Sequence, residues 1–333
     1  MMTKRNSCWC CGGREISSSH RLREMMYGTR EQFEYLECAE CGSIQIDNIP
    51  QDLGKYYPSD YYSFQANNNL EDVHFLRSFF RSQRSNYMMG KISPIGWTLN
   101  KNAPDYFPYP WFWFRNTSCS SDSPILDVGC GHGKLLATMR EHGFRRLEGV
   151  DPFINQQISF PGLTIHRKPL LQIAGSYQLV MSHHSLEHMP DPLRYLDKMK
   201  SLCRKNGYLL IRMPVLNASW SIYGRDWVEL DVPRHLWIPT IGGLKKLIKK
   251  VGGLSIESIS FDSDSFEIYQ SELYSKNIPI YDESGKKTDP SMIFSEEELD
   301  AFQRTAKDYN KTGKAGRIVL IIKNIKGGGD KHE

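Results

Sequence analysis

The stretch DVGCGHG, from Asp127 to Gly133, decides the fold of this chain. It begins within PILDV, an apolar run with the length of a buried strand, and it precedes KLLATMREHG, which has helical spacing. Glycines at 129, 131 and 133 let the backbone turn sharply and approach a ligand at the start of the helix. A glycine-rich turn between a strand and a helix is typical of nucleotide-binding α/β folds.

Strand and helix patterns alternate from this turn almost to the C-terminus. The candidate strands are PILDVG, RLEGVD, TIHRK, YQLVMS, YLLIRMP, SIESISF and RIVLIIKN. Candidate helices are KLLATMREHG, PLRYLDKMKSLCRK, which should end at the Asn206-Gly207 turn, and GGLKKLIKKVG. This order predicts a doubly wound, Rossmann-like α/β domain over 124–326, with a seven-stranded parallel sheet between helices. The KGGGDKHE tail at 327–333 is predicted to be mobile.

Two aspartates strengthen the nucleotide-site prediction. Asp151 ends the next strand, in EGVDP, where a carboxylate can accept hydrogen bonds from ribose hydroxyls. Asp127 lies just before the glycines and can face the amino end of a methionine moiety. A nicotinamide enzyme would show G-x-G-x-x-G, and a P-loop would place Ser or Thr where Leu135 stands.

LDVGCGHGKLL followed by GVDP resembles class I S-adenosylmethionine-dependent methyltransferases. The resemblance implies S-adenosylmethionine as the cofactor, with its methionine part at the first aspartate and glycines and its ribose at Asp151. It also implies that the end of the fourth strand lies near the cofactor. The predicted cofactor-binding residues are therefore Asp127, Gly129, Cys130, Gly131, Asp151, Ser182 and His183.

The segment SHHSLEHMPDP, which starts at Ser182, contains the H-x-x-E-H pattern of some zinc peptidases. That pattern needs a regular helix, which the Met189-Pro190 step would stop, so we reject a peptidase site. The segment instead resembles the loop after strand four of many methyltransferases, which places His184 or Glu187 in the acceptor pocket. The alternative is that Glu187 and His188 form a local hydrogen-bonded pair that shapes the loop.

The acceptor side is predicted in the long segment 212–240, because long loops at the mouth of such a sheet usually carry function. Its aromatic rings next to charged side chains suit a sugar, and its arginines also suit a phosphate. His235 is the first candidate for removing the acceptor proton and His184 the second. The alternative for His235 is a structural histidine bonded to the backbone. The rings are Trp220, Tyr223, Trp227 and Trp237.

Two C-x-x-C-Gly knuckles, CWCCG and CAECG, mark a small N-terminal module over 1–62. Cys8, Cys11, Cys38 and Cys41 are the predicted ligands of a structural, zinc-ribbon-like Zn²⁺ site, and Cys10 is a spare. A pair of disulfides is the alternative, which the expected reducing compartment disfavours. Four sulfur ligands would leave no open position, so this zinc is not expected to be catalytic.

The knuckles, KYYPSDYYSF, LEHMPDP and YGRDWVELDVPRHL together resemble bacterial methyltransferases of surface-polysaccharide and O-antigen synthesis. This resemblance implies O-methylation of a nucleotide-linked sugar or a lipid-linked glycan, and it implies that Tyr61 and Tyr62 cover the cofactor. Related deoxysugar C-methyltransferases, which use a histidine base in a comparable loop, are one alternative. An RNA methyltransferase and a non-catalytic binding module on the same fold are two others.

A connecting region over 63–123 carries FLRSFFRSQRSNYMMGK and YFPYPWFWF. Helical spacing with arginines opposite the rings fits either packing between domains, which we favour, or a membrane-surface patch. The net charge of +4, from 42 basic and 38 acidic residues, gives no reason to expect a nucleic-acid partner. With no secretion signal and no run of about 20 apolar residues, we expect a cytoplasmic protein, with peripheral contact at the inner membrane face left open. The oligomeric state is not predicted.

Overall fold

The computed structural model describes residues 7–57, 75–102, 111–115 and 117–326. Its strands are β1 (Ile16–Arg23), β2 (Gln32–Cys38), β3 (Ile44–Ile46), β4 (Ile125–Val128), β5 (Leu147–Val150), β6 (Ile158–Phe160), β7 (Leu163–His166), β8 (Tyr177–His183), β9 (Cys203–Pro214), β10 (Trp237–Ile238), β11 (Leu254–Phe261) and β12 (Arg317–Asn324). Its helices are α1 (Phe75–Met88), α2 (Pro94–Asn102), α3 (Lys134–Glu141), α4 (Pro192–Leu202), α5 (Ala218–Tyr223), α6 (Ile241–Val251), α7 (Ser265–Ser275) and α8 (Glu296–Thr312). The expectations for Tyr61, Tyr62, residues 106–110 and the 327–333 tail concern residues outside these ranges.

An eight-stranded sheet, in the order β11-β12-β9-β8-β4-β5-β7-β6, forms the main body of the protein. The five strands from β9 to β7 are parallel, whereas β12, β11 and β6 join as antiparallel strands. All seven predicted strands form, and the predicted doubly wound α/β fold is confirmed. The prediction of a wholly parallel sheet is wrong, because β12 pairs antiparallel with β9 and β11 pairs antiparallel with β12. The additional strand, β6, is a three-residue edge strand in which no residue is buried.

The boundary between α4 and β9 differs from the prediction. The helix ends at Leu202 rather than near Asn206, because Cys203 already pairs with Tyr177 on the neighbouring strand. Asn206 adopts a left-handed backbone with φ of 60° at the irregular start of the strand. Sheet pairing therefore ends the helix earlier than the sequence pattern indicates.

The N-terminal module is joined to the α/β domain by a strand from residues 237–238 and by a shared core. Its four strands have the order β1-β2-β3-β10, so its edge strand comes from residues 237–238, beyond the fifth strand of the large sheet. Buried side chains of the module, including Cys8, Tyr35 and Ile44, pack in one continuous cluster with Val128 of the large sheet. The N-terminal module therefore pairs with the segment that follows β9, through the strand β10.

Helices α1 and α2 form a tight hairpin beside α3. A side chain at Gly96 would collide with the Gln83 carbonyl, which explains why glycine stands where the two helices meet. Arg81 forms an ion pair with Glu141 of α3, and Met89 packs with Trp111 in the core. Within the described part of the chain, no helix has the length and apolar character that crossing a membrane requires.

Candidate active site

The glycine turn after β4 holds the start of α3 against the sheet. Gly129 donates its N–H to the Val150 carbonyl at 2.8 Å, and Gly133 adopts a left-handed backbone with φ of 78° at the N-terminus of the helix. A side chain at Gly129 would clash with Ser185, and one at Gly133 would clash with Ile165. The turn therefore has no side chains on its glycines at the carboxyl edge of the sheet, so a nucleotide can approach the backbone closely.

The two predicted acidic residues lie together at this turn. Asp151 accepts N–H groups from Gly131 at 3.0 Å and Phe153 at 2.8 Å, so it fixes the loop while each oxygen retains a free lone pair. Asp127 is buried, and its Oδ1 has no hydrogen-bond partner among the residues that the structure describes. Burial and then the neighbouring Asp151 raise the pKa of Asp127 to about 8.

An orphaned buried carboxylate beside a glycine turn is what a positively charged ligand would complete. The amino group of a methionine moiety fits Asp127, and ribose hydroxyls fit the remaining lone pairs of Asp151. The donor set therefore fits S-adenosylmethionine. Cys130 lies in the same turn, where burial raises the pKa of its thiol well above the ordinary value and makes it a poor nucleophile.

The end of β8 is bonded to the end of β4. Ser182 Oγ lies 2.6 Å from Ser185 Oγ, and Ser185 donates to the Val128 carbonyl at 2.6 Å. His183 stacks on Trp113 with ring centroids 5.2 Å apart, and burial lowers the pKa of His183 to about 3. Trp113 therefore adds to the site a ring that the sequence indicated only as packing between domains.

Glu187 lies at the centre of the loop after β8. Its Oε1 is 3.5 Å from His184 Nδ1 and 3.8 Å from His235 Nε2, so it lies between the two predicted base candidates. Its carboxylate is fully buried, neither oxygen has a hydrogen-bond partner within the described part of the chain, and burial raises its pKa to about 8. The alternative of a Glu187–His188 hydrogen-bonded pair is not observed, because the Nδ1 of His188 lies 2.9 Å from the Arg234 carbonyl.

His184 has a strained backbone at the end of the strand. Its φ of 49° is left-handed, which is uncommon for a residue other than glycine and tends to occur at functional sites. Burial, followed by the charges of Arg212 and Arg317, lowers the pKa of His184 well below its ordinary value. The neutral imidazole therefore lies beside Glu187, with Nε2 unpartnered among the described residues.

His235 has the tautomer that a base requires. Its Nδ1 lies 2.8 Å from the Glu229 carbonyl, and because a carbonyl only accepts, Nδ1 carries the proton and Nε2 carries the lone pair. That lone pair faces Glu187, with Asp231 Oδ2 also at 3.9 Å. Burial lowers the pKa of His235 below its ordinary value, so the ring is neutral near pH 7. The backbone bond expected of a structural histidine is present, and it leaves the reactive nitrogen free.

The residue before His235 anchors the loop to the N-terminal module. The fully buried Arg234 donates from Nη2 to Glu24 Oε1 at 2.9 Å and from Nε to Asp231 Oδ1 at 2.9 Å. Tyr35 of β2 donates its hydroxyl to the His235 carbonyl at 2.7 Å. The loop is thus positioned by groups of the N-terminal module, and no pattern in the sequence pointed to Glu24.

The four aromatic rings proposed as flat acceptor surfaces are not all available. Trp227 and Trp237 are completely buried, and their indole N–H groups donate to Glu267 and to the Leu186 carbonyl. Trp220 meets His20 edge-on with centroids 5.2 Å apart, and Tyr223 donates its hydroxyl to Glu272 at 2.9 Å. The expectation that Trp227 and Trp237 stack on a sugar is therefore wrong, because both are core residues.

The four knuckle cysteines converge on one point. Cys8 and Cys41 have Sγ atoms 3.6 Å apart, Cys11 and Cys38 have theirs 3.4 Å apart, and all four lie within 4.8 Å of one another. Sulfurs around a tetrahedral zinc lie about 3.8 Å apart, given Zn–S bonds of about 2.3 Å. All four are free thiols, so the two-disulfide alternative is not observed. The donor set fits a structural zinc.

Residues 81–254, just over half of the chain, match the family described as a methyltransferase domain. The chain belongs to this methyltransferase family. It is an S-adenosylmethionine-dependent methyltransferase, as the glycine turn and its two aspartates led us to expect.

Curated relatives of this methyltransferase include the tRNA U34 carboxymethyltransferases of Alteromonas mediterranea and Idiomarina loihiensis. The first is 25% identical over 181 residues, which cover 47% of this chain and 53% of that protein. The second is 25% identical over 178 residues, which cover 47% of this chain and 54% of that protein. The chain spans about half the length of the curated relatives it matches.

Solved structures similar to this methyltransferase have low sequence identity. An S-adenosylmethionine-dependent methyltransferase from Mesorhizobium loti is 16% identical, with a TM-score of 0.38 and coverage of 61% of this chain and 91% of its own. A mycolic acid cyclopropane synthase is 12% identical, with a TM-score of 0.40 and coverage of 61% and 78%.

Proposed function

We propose that this methyltransferase methylates an oxygen nucleophile whose proton is removed by His235, and that the nucleophile belongs to RNA. The observation that carries the chemistry is the free Nε2 of His235, which faces the buried Glu187 at 3.8 Å. S-adenosylmethionine, when bound at the glycine turn, supplies an electrophilic methyl group. Transfer would break the methyl carbon–sulfur bond and leave the sulfur as a neutral thioether, and the role of His235 would be to accept at Nε2 the proton of the acceptor oxygen.

The surrounding residues of the chain assist this proton transfer. An ionised Glu187 stabilises the imidazolium that forms, while the Glu229 carbonyl keeps the ring in the reactive tautomer. His184 Nδ1 lies 3.5 Å from the same oxygen of Glu187, and His184 is the second candidate base. Burial of these groups excludes water and strengthens their electrostatic coupling. Both the positioning of the acceptor and base catalysis therefore contribute to the rate.

The RNA acceptor is proposed on the names of the curated relatives, which modify uridine 34 of tRNA. This departs from the sequence-based expectation of no nucleic-acid partner, which rested on a small net charge. A modest net charge does not prevent RNA recognition where base stacking contributes, because each stacked base adds about 1–3 kcal/mol. At 25% identity the relatives support the acceptor class and not a particular nucleotide.

A sugar hydroxyl remains the second candidate. It is supported by the resemblance to surface-polysaccharide methyltransferases, part of which lies in the knuckles, outside the segment 81–254 that matches the family. The burial of Trp227 and Trp237 removes two of the rings on which a sugar would have stacked. Methylation at carbon, as in the deoxysugar enzymes, would use the same histidine base.

Methyl-labelled S-adenosylmethionine tests the acceptor directly. We expect label in bulk tRNA and none in nucleotide sugars or a lipid-linked glycan extract, each offered to the purified protein separately. Nuclease digestion of the labelled RNA should release the label in soluble form. Label in either sugar fraction instead would replace RNA by the second candidate. If no acceptor is labelled although the protein binds the cofactor normally, a non-catalytic binding module would be favoured.

We propose further that the Cys8, Cys11, Cys38 and Cys41 cluster holds a structural zinc. A second donor set, formed by Glu187, His188 and His235, also has its ligand atoms within 4.8 Å of one another. A cation there would occupy Nε2 of His235 and remove it from proton transfer. The number of bound metal ions therefore separates the base mechanism from a metal mechanism.

Elemental analysis of the purified protein should find about one zinc per chain, because of the two donor sets among the described residues the cysteine set has the four sulfur ligands of a closed structural site. Cys38→Ser should lower the zinc content and the stability of the N-terminal module, since metal binding contributes to folding such small modules. Glu187→Gln should leave the zinc content unchanged. A second metal equivalent that disappears in Glu187→Gln would contradict the assignment of His235 as the base.

A further inference from the structure

We propose that residues 75–102, which we name the basic hairpin, dock this protein on an anionic lipid surface. The basic hairpin comprises α1 and α2, and the methyl-transfer chemistry described above assigns it no role. The inference depends on its charge, its exposed apolar side chains and its rigid attachment to the methyltransferase domain. It does not depend on which acceptor the enzyme uses.

The charge of the basic hairpin has one sign only. Residues 75–102 contain five Lys or Arg residues and no Asp or Glu, although the whole chain has 38 acidic residues. Arg77, Lys91 and Lys101 have exposed side chains. Such a patch is complementary to anionic headgroups, where each Lys or Arg near the surface contributes about 1 kcal/mol.

The apolar side chains of the basic hairpin are unusually exposed. On α1, Leu76, Phe79 and Phe80 follow helical i, i+3, i+4 spacing and so share one face, and Leu76 is 69% exposed. Around α2, Ile92 is 99% exposed and Trp97 is 52% exposed, with Lys101 Nζ 5.5 Å from the Trp97 ring centroid. Nothing among the described residues packs over these groups closely enough to bury them.

Cations beside exposed leucine, isoleucine, phenylalanine and tryptophan fit a membrane interface better than they fit RNA. Amphipathic segments that lie on membranes place such apolar side chains among the acyl chains and keep Lys and Arg at the headgroups. RNA would use the rings and the cations but would gain nothing from aliphatic side chains such as Ile92 and Leu76. The mixture therefore favours lipid as the occupant.

The basic hairpin is rigid enough to transmit docking to the enzyme. Ser93 donates from Oγ to Gln83 Oε1 at 2.9 Å, which joins its two helices. The Arg81–Glu141 ion pair and the Ser85–His142 contact at 3.3 Å join it to α3. Trp113, in the short described segment 111–115, stacks on His183 of the candidate site. Docking through the basic hairpin would hold the active site at a fixed height above the lipid surface.

Co-sedimentation with vesicles tests the inference with the full-length protein. We expect binding to phosphatidylcholine vesicles that contain phosphatidylglycerol and at least about tenfold weaker binding to pure phosphatidylcholine. The double variant Phe79→Ser/Phe80→Ser removes apolar contact, and Lys91→Gln/Lys101→Gln removes charge. Each should weaken binding to anionic vesicles by about tenfold or more.

The matched control is Ile222→Ser/Met292→Ser, which removes two exposed apolar side chains elsewhere on the surface. It should bind vesicles like the unchanged protein, and circular dichroism should show that all variants are folded. The inference would be overturned if the control variant lost as much vesicle binding as the hairpin variants, or if the wild-type protein did not bind vesicles. Loss of tRNA affinity without loss of vesicle affinity in the hairpin variants would also overturn it, by making the basic hairpin a nucleic-acid surface. Methyl transfer to RNA is measured separately, so either proposal can fail alone.

Discussion

Replacing His235 by Ala is expected to lower kcat by about 10²–10⁴-fold, the usual contribution of a positioned general base. The reason is that Nε2 of this ring is the free lone pair that faces Glu187, while Nδ1 is held by the Glu229 carbonyl. Binding of S-adenosylmethionine should be unchanged, because no residue of the glycine turn is altered. Single-turnover rates and a cofactor titration measure the two quantities separately.

Removing a buried ring also leaves a cavity, so this experiment needs a control for packing. His142→Ala removes an equally buried histidine at the end of α3, away from the loop, and should retain turnover wherever the protein stays folded. Glu187→Gln adds a pH test of the positioning role. Because burial raises the pKa of Glu187 to about 8, kcat/KM should rise as the pH approaches about 8, and this limb should vanish in Glu187→Gln. Unchanged turnover in His235→Ala would move the role to His184.

Replacing Arg234 by Met is expected to reduce the free energy of unfolding by about 3–5 kcal/mol. The guanidinium is fully buried and bonds Glu24 at 2.9 Å, so its loss leaves a buried carboxylate without its cation. Asp231 would lose the charge that, with His235, holds its pKa below the ordinary value against the effect of burial. Urea unfolding followed by tryptophan fluorescence measures the change.

An exposed ion pair in the same small sheet provides the comparison. Arg21 on β1 donates to Glu34 on β2 at 3.0 Å, with 70% and 42% of the two side chains exposed to solvent. Arg21→Met should leave the unfolding midpoint essentially unchanged, since solvent screens such pairs. The double change Glu24→Gln/Arg234→Met should recover part of the lost stability. Equal destabilisation by the two arginine variants would show that burial of Arg234 is not the cause.

The strands of the large sheet could be predicted because each one is marked locally, by an apolar run such as RIVLIIKN or by alternation such as SIESISF, and all seven form. The spatial order of the strands was not predicted, because it depends on pairing between distant segments. The strand β10 could not be predicted, since two residues carry no pattern and its partner β3 lies far away in the sequence. The helices α2, α5, α7 and α8 were missed as well. Of these, α7 buries Glu267 and Gln270 among its apolar residues, which obscures an apolar face.

The cofactor half of the site could be predicted and the acceptor half only in part. Asp127, Gly129 and Asp151 lie within two short motifs, whose spacing alone indicates a nucleotide turn. His184 and His235 were named separately as candidate bases, and the buried carboxylate that both of them approach was considered only as pocket lining or as the partner of His188. Its role depends on burial of Glu187, and burial depends on a loop held by Arg234 and Glu24. Contacts between such distant residues leave no signature in a single sequence.

The pairing of β3 with β10 has a consequence for biosynthesis. While the ribosome is still translating the first half of the chain, residues 44–46 lack their partner at 237–238, and the small sheet keeps an open edge. Open edges readily pair with other chains, and N-terminal segments normally fold first. Here the small sheet of the N-terminal segment is completed only after the loop that contains His235 has been synthesised. Early capture of metal by the cysteines would protect the nascent chain until then.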